Sequence, residues 1–130
     1  MIDVLKKYWL SLFVIIIVLI LCFINTSQLP KSPALNFDKL VHVIMFMGLS
    51  GVIFFDDTGY LRFPISKMRI FFGVFLFPVA FGGLIEIMQA YLTTTRSGDW
   101  FDFGGDVVGS VVGMLIALLI NRYLPLRKKR

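Results

Sequence analysis

Four continuous apolar runs, separated by short polar stretches, set the plan of this 130-residue chain. The first runs from Tyr8 to Ile24, the second from Leu40 to Phe55, the third from Ile70 to Leu92, and the fourth from about Asp99 to Leu124. Within the fourth, residues 107–120 carry no charge. The runs are unbroken rather than alternating, which predicts helices and gives no support to strands. Extended by their polar first turns, the helices are expected at about 8–24, 38–55, 69–92 and 99–124. Each then reaches, or nearly reaches, the roughly 30 Å needed to cross a hydrocarbon core. The predicted fold is an all-α membrane protein, a four-transmembrane-helix bundle, with residues 1–130 forming one domain.

The breaks between runs fit this plan. Pro30 and Pro33 mark a first loop, and proline disfavours helix in the residue before it. Asp56, Asp57, Gly59 and Pro64 make a polar turn. Pro78 is expected to kink the third helix, and Gly82-Gly83 to let a neighbour approach closely. The first run follows Lys6 and Lys7 and so resembles a signal-peptide core. It is long, however, and Asn25-Thr26-Ser27-Gln28 is no Ala-x-Ala cleavage site, so a retained helix is expected.

Composition narrows the class. The chain is 58% hydrophobic and 16% charged, with mean hydropathy +0.85, which is too apolar for a soluble domain of this size. The single cysteine, Cys22, allows no intrachain disulfide and reads as an apolar filler. Net charge is +5, and Arg122, Arg127, Lys128, Lys129 and Arg130 cluster near the end. Basic residues just past an apolar helix face an anionic leaflet, so no nucleic-acid partner is expected.

With four crossings, ten of the thirteen Lys and Arg residues fall on one side and only Lys31, Lys39 and Arg96 on the other. That asymmetry predicts a cytoplasmic (plasma) membrane protein with both termini in the cytoplasm. Five of the eight acids, Asp38, Glu86, Asp99, Asp102 and Asp106, then lie on the outer side with the three basic residues.

Those acids are the candidate chemistry, because carboxylates at membrane depth cost a few kcal/mol each and tend to mark function. Asp38 and His42 are four apart and share a helix face, as an Asp cap with an interfacial His or as a carboxylate orienting an imidazole. Lys39 sits beside them. Glu86 and Gln89 are three apart, one turn beyond the glycine pair. Glu86 can project into the bundle or pair with Lys39 or Arg96. Asp99, Asp102 and Asp106 form an acidic stripe beside the Gly105, Gly109, Gly113 ridge, a close-packing surface. Asp99 or Asp102 can cap the fourth helix, whereas Asp106 lies too deep for that. Arg96 either neutralises these acids or offers a guanidinium fork to phosphate or carboxylate. Tyr91 and Trp100 read as interfacial anchors. HExxH, paired CxxC and phosphate-cradling glycine motifs are all missing from the sequence.

At these residues the chain resembles the VanZ-like family of small membrane proteins. The resemblance runs through Phe37-Asp38-Lys39-Leu40-Val41-His42 with Phe46, then Glu86-Ile87-Met88-Gln89, Arg96, Asp99, Asp102, Asp106-Val107-Val108-Gly109 and Gly113. It covers about residues 36 to 120. The family pattern commonly has Asn where this chain has Asp106. The family's namesake is associated with low-level resistance to the glycopeptide teicoplanin, so the resemblance implies a role at the cell envelope rather than a particular reaction.

Three functions fit these features. The first is an envelope binding protein for an outer-leaflet lipid headgroup, a lipid-linked wall precursor or a glycopeptide. Arg96, Lys39 and His42 would then meet anionic groups, while Asp99 and Asp102 meet amines or sugar hydroxyls. The second is a membrane enzyme on a lipid-linked substrate, with Glu86, His42 and Asp102 as candidate acid–base groups and a divalent cation as a potential cofactor held by the carboxylates. The third, a proton-coupled carrier, has little room for alternating access in one bundle of this size.

Overall fold

The computed structural model describes residues 1–24, 37–93 and 100–124, with residues 37 and 38 described by backbone alone. Helix α1 covers Ile2–Lys7, α2 Trp9–Phe23, α3 Phe37–Asp57, α4 Lys67–Leu92 and α5 Trp100–Tyr123. No strand occurs among the described residues. Three helices are long and apolar enough to cross a membrane: α3 from Lys39 onward, α4 and α5. Helix α2, at 15 residues, is apolar but shorter than that.

Contacts at the helix ends show that successive long helices run antiparallel. The start of α2 meets the end of α3 through Ser11 and Asp56, and the end of α3 meets the start of α4 through Asp57 and Arg69. The end of α2 meets the end of α4 through Cys22 and Gln89, while the start of α3 meets the start of α5 through His42 and Asp106. Core residues Phe46, Leu49, Ile53 and Phe54 of α3 face Ile70, Val74 and Ile85 of α4, with Val18 and Ala117 from α2 and α5. The outward faces are apolar too: Phe13, Ile16, Ile20, Ile44, Leu84, Ile87, Leu115 and Leu119 are all exposed. Apolar exposure on that scale, over every long helix, suits hydrocarbon rather than water.

The expected first helix is divided at its start. Tyr8, at φ −105° and ψ 25°, separates α1 from α2. Helix α3 continues two residues beyond the expected end, to Asp57, and is then stopped by Thr58. The Thr58 hydroxyl donates to the Phe54 and Phe55 carbonyls at 2.9 and 3.0 Å and accepts from the Leu61 amide at 3.1 Å. Gly59, Tyr60 and Leu61 then follow in the left-handed region, a costly arrangement for the two non-glycine residues. The Trp9 indole donates to the Tyr60 hydroxyl at 2.8 Å and holds one of them there. Further along, Asn121 of α5 clamps the backbone of Ile65 by reciprocal bonds of 3.0 and 2.9 Å.

Ahead of Pro78 the helix changes its winding. Ile70–Leu76 is wound as a wide π-helical stretch, and the Phe77 amide bonds the Phe72 carbonyl five residues back. Proline has no N–H and crowds the carbonyl four residues earlier, so widening the preceding turns relieves that conflict.

The most extensive helix contact joins α3 and α5. It follows the glycine ridge, as its spacing suggested. A Cβ on Gly109 would collide with the Val43 carbonyl and lie 2.9 Å from the Met47 nitrogen. One at Gly113 would lie 2.5 Å from Ser50 Cβ. These backbones pack with nothing between them. Gly109→Ala should therefore lower stability by about 1–3 kcal/mol. Gly104→Ala, on the same helix but facing open space, should be neutral or stabilising by up to about 1 kcal/mol. Thermal unfolding of both variants in detergent tests the pair, and equal effects would contradict the ridge.

Candidate functional site

The polar groups collect at the end of the structure where α3 and α5 begin and α4 ends. His42 is five residues past Phe37, Glu86 six before Leu92 and Asp106 six past Trp100. At 1.5 Å per residue each lies roughly 8–9 Å inside its helix end, so all three reach one level. Each lies on the buried face of its helix, His42 at 3%, Glu86 at 4% and Asp106 at 0% exposure.

The helix packing brings them into register. Gly105 places the Lys39 carbonyl and the His42 Cβ within 3.0 and 3.2 Å of where a side chain would begin, so α3 lies directly against α5 at this level. On the other side, a Cβ at Gly82 of α4 would meet Asp106 Oδ2 at 2.6 Å. Gly82 therefore gives Asp106 its space, and Glu86 follows one turn later. His42 Nδ1 lies 2.7 Å from Asp106 Oδ1. A carboxylate only accepts, so Nδ1 is the donor and the bond fixes the ring. Asp102, one turn earlier on α5, lies 3.7 Å from Nε2. Asp106 Oδ2 is buried without a hydrogen-bond partner. One ligand atom each from His42, Glu86 and Asp106 lie within 4.8 Å of one another.

The arrangement can hold a cation among its oxygens and imidazole. It can also relay a proton through an imidazole oriented by a carboxylate, and it can bind a polar group brought between the helices. Asp106 is fully buried, and a carboxylate at this depth is costly unless it is paired.

The other expected site residues divide in three ways. Gln89 is buried, but its amide donates to the Cys22 carbonyl at 2.7 Å. That carbonyl lies in the last turn of α2, where helices leave carbonyls without an internal partner, so Gln89 has a structural role. Lys39 is half-buried, with its ammonium 5.7 Å from the Phe101 ring centre. The Asp38 side chain, Arg96 and Asp99 lie outside the described residues. Among the described residues, the carboxylate hydrogen-bonded to His42 is Asp106, across the helix interface. Tyr91 and Trp100 are strongly exposed at the helix ends, as interfacial anchors would be.

A second polar cluster, at the opposite end, was not singled out from the sequence. Asp57 Oδ1 accepts from the Tyr8 hydroxyl at 2.5 Å and from the Arg69 Nε at 3.0 Å, with Lys7 Nζ at 3.5 Å. Asp56 Oδ2 accepts from the Ser11 amide and hydroxyl at 2.9 and 2.7 Å, capping the start of α2. A carboxylate there also meets the positive end of the helix dipole. The signal was available: Phe46, Leu49, Ile53 and Asp56 continue one buried stripe at spacings of three and four.

No protein-family model, curated protein or solved structure matches this chain. Function is therefore argued from the site itself. Removing Asp106 should leave the buried imidazole unpaired, and Asp106→Ala should cost about 1–3 kcal/mol. In the double variant His42→Ala/Asp106→Ala the loss should fall short of the two single losses combined. Unfolding measurements on the cycle give the coupling, and strictly additive losses would show that the contact contributes nothing.

Proposed function

We propose that this chain is a VanZ-like integral protein of the cytoplasmic membrane. In this reading all four apolar segments cross the bilayer, both termini are cytoplasmic, and the His42–Glu86–Asp102–Asp106 centre binds a polar headgroup at the outer leaflet. The ligand class is a lipid headgroup or lipid-linked wall precursor, and a glycopeptide shares the same amine, hydroxyl and carboxylate chemistry. The observation that carries this is the convergence of His42, Glu86 and Asp106 from three helices at one level near one end. Such groups are costly at membrane depth, and packing alone gives no reason to bring them together.

The sequence supports the orientation through its ten-to-three division of basic residues. Helix α2 is about 22 Å long at 1.5 Å per residue, shorter than the hydrocarbon core. Local thinning of the bilayer, with Tyr8 and Trp9 at the interface and Lys6 and Lys7 beyond, accommodates such a mismatch. The family resemblance adds the order of the polar residues along the chain.

A second reading, a membrane enzyme acting on a lipid-linked substrate, draws on the 2.7 Å His42–Asp106 contact. A carboxylate that holds Nδ1 leaves Nε2 to exchange protons with a substrate, which is the arrangement of a general base. Glu86 and Asp102 are the other candidate proton carriers.

One set of variants separates the two readings: His42→Gln, Glu86→Gln and Asp102→Asn, at matched expression. The binding reading predicts loss of co-purified lipid by native mass spectrometry with an unchanged cellular lipid profile. Accumulation of one lipid-linked species would favour the enzyme. For topology, Ser97→Cys should label from outside the cell and Lys67→Cys only after permeabilisation; the reverse pattern would invert the orientation.

A further inference from the structure

Among the described residues, His42, Glu86 and Asp106 are the one group of three or more His, Cys, Asp or Glu side chains close enough to share an ion. We infer that this centre is a divalent transition-metal site, filled by an ion such as Zn2+ or Mn2+ held by one ring nitrogen of His42 and carboxylate oxygens of Glu86 and Asp106. The inference deepens the headgroup-binding reading of the same centre and rests on it for biological role. The metal would bridge the protein to the phosphate or carboxylate of the headgroup.

Three observations carry it. The first is ligand chemistry. One imidazole with carboxylates is a donor set that suits Zn2+ and Mn2+, and it lacks the thiolates that would select softer ions. The second is spacing. Metal bonds of 2.0–2.2 Å put two ligands at most about 4.4 Å apart. In a tetrahedral site the ligands lie about 3.3–3.6 Å apart, so ligand atoms within 4.8 Å of one another need to close by up to about 1.5 Å, within reach of side-chain rotation. His42 Nδ1 and Asp106 Oδ1 lie 2.7 Å apart as a hydrogen bond, so for Nδ1 to serve as the ligand the proton it donates to Asp106 would leave as the ion binds.

The third observation is an orphaned atom. Asp106 is fully buried, and its Oδ2 has no hydrogen-bond partner. That oxygen points at the gap left by Gly82, one turn from Glu86, where a Cβ would lie only 2.6 Å away. Asp56 Oδ1 is also buried without a partner, but no imidazole or thiol accompanies it in a group of three. At His42 a divalent ion would satisfy the orphaned Asp106 oxygen. Asp102, 3.7 Å from Nε2, supplies a further carboxylate beside the ion.

The test uses the full chain purified in detergent, stripped with chelator, and titrated with Zn2+ or Mn2+ alone, no lipid present. Bound metal is measured by mass spectrometry, with circular dichroism confirming folded protein. Wild type should take up about one ion per chain and unfold at higher temperature with metal than without. Glu86→Gln and Asp106→Asn, which keep side-chain size, should each bind at least about tenfold more weakly. Folded wild-type protein that takes up neither ion would overturn the inference. So would variants that bind as wild type does. A metal-free protein whose His42→Gln variant still loses its co-purified lipid would remove the metal and keep the headgroup reading.

Discussion

Close approach of two backbones governs this molecule. Helices α3 and α5 touch where Gly105, Gly109 and Gly113 meet Lys39, Val43, Met47 and Ser50, and in hydrocarbon such contact replaces the hydrophobic driving force available in water. The distance is set by the absence of side chains, so it has almost no tolerance. Asp102 and Asp106 sit beside the first of these glycines, and His42 lies between the residues the ridge touches. The same contact that joins the two helices therefore fixes how far the imidazole lies from its carboxylate.

The two ends of the structure treat buried charge differently. At one end Asp57 is surrounded by donors, with Tyr8, Arg69 and Lys7 all directed at one oxygen. That cluster ties α1, α2, α3 and α4 together, although Asp56 Oδ1 beside it is buried without a partner. At the other end Asp106 meets His42 across a helix interface, and its second oxygen is buried without a hydrogen bond. What sets Asp106 apart from Asp56 is the buried imidazole and the Glu86 carboxylate beside it, and polar residues that remain expensive tend to be those a protein uses.

Much of this was legible in the chain. Continuous apolar runs gave the helix type and their approximate bounds, and the four-residue glycine spacing gave the α5 packing face. His42, Glu86, Asp102 and Asp106 stood out because charge is rare inside such runs. What could not be read was pairing across helices. Asp38 lies four residues from His42 and is its local candidate partner, while the contact seen among the described residues is with Asp106, 64 residues away. Gln89 looked like a ligand because it neighbours Glu86, yet a bare carbonyl at the end of α2 claims it. Asp56 and Asp57 looked like turn residues, because nothing local tells that α3 continues through them until Thr58 closes it. In each case the deciding neighbour is distant in sequence, and local periodicity carries no information about it.

The wide turns of α4 have a consequence for how its two halves are phased. Ile70, Val74, Pro78 and Gly82 are all buried and follow one another at intervals of four. In a regular α-helix each interval of four oversteps a full turn by about 40°, so Gly82 would face about 120° away from Ile70. The π-helical stretch over Ile70–Leu76 holds more residues per turn and takes back much of that drift. One straight seam then serves both the Arg69 end and the Glu86 end. The length of this segment thus works as an angular setting: a residue gained or lost there would turn one polar end relative to the other while leaving every helix intact.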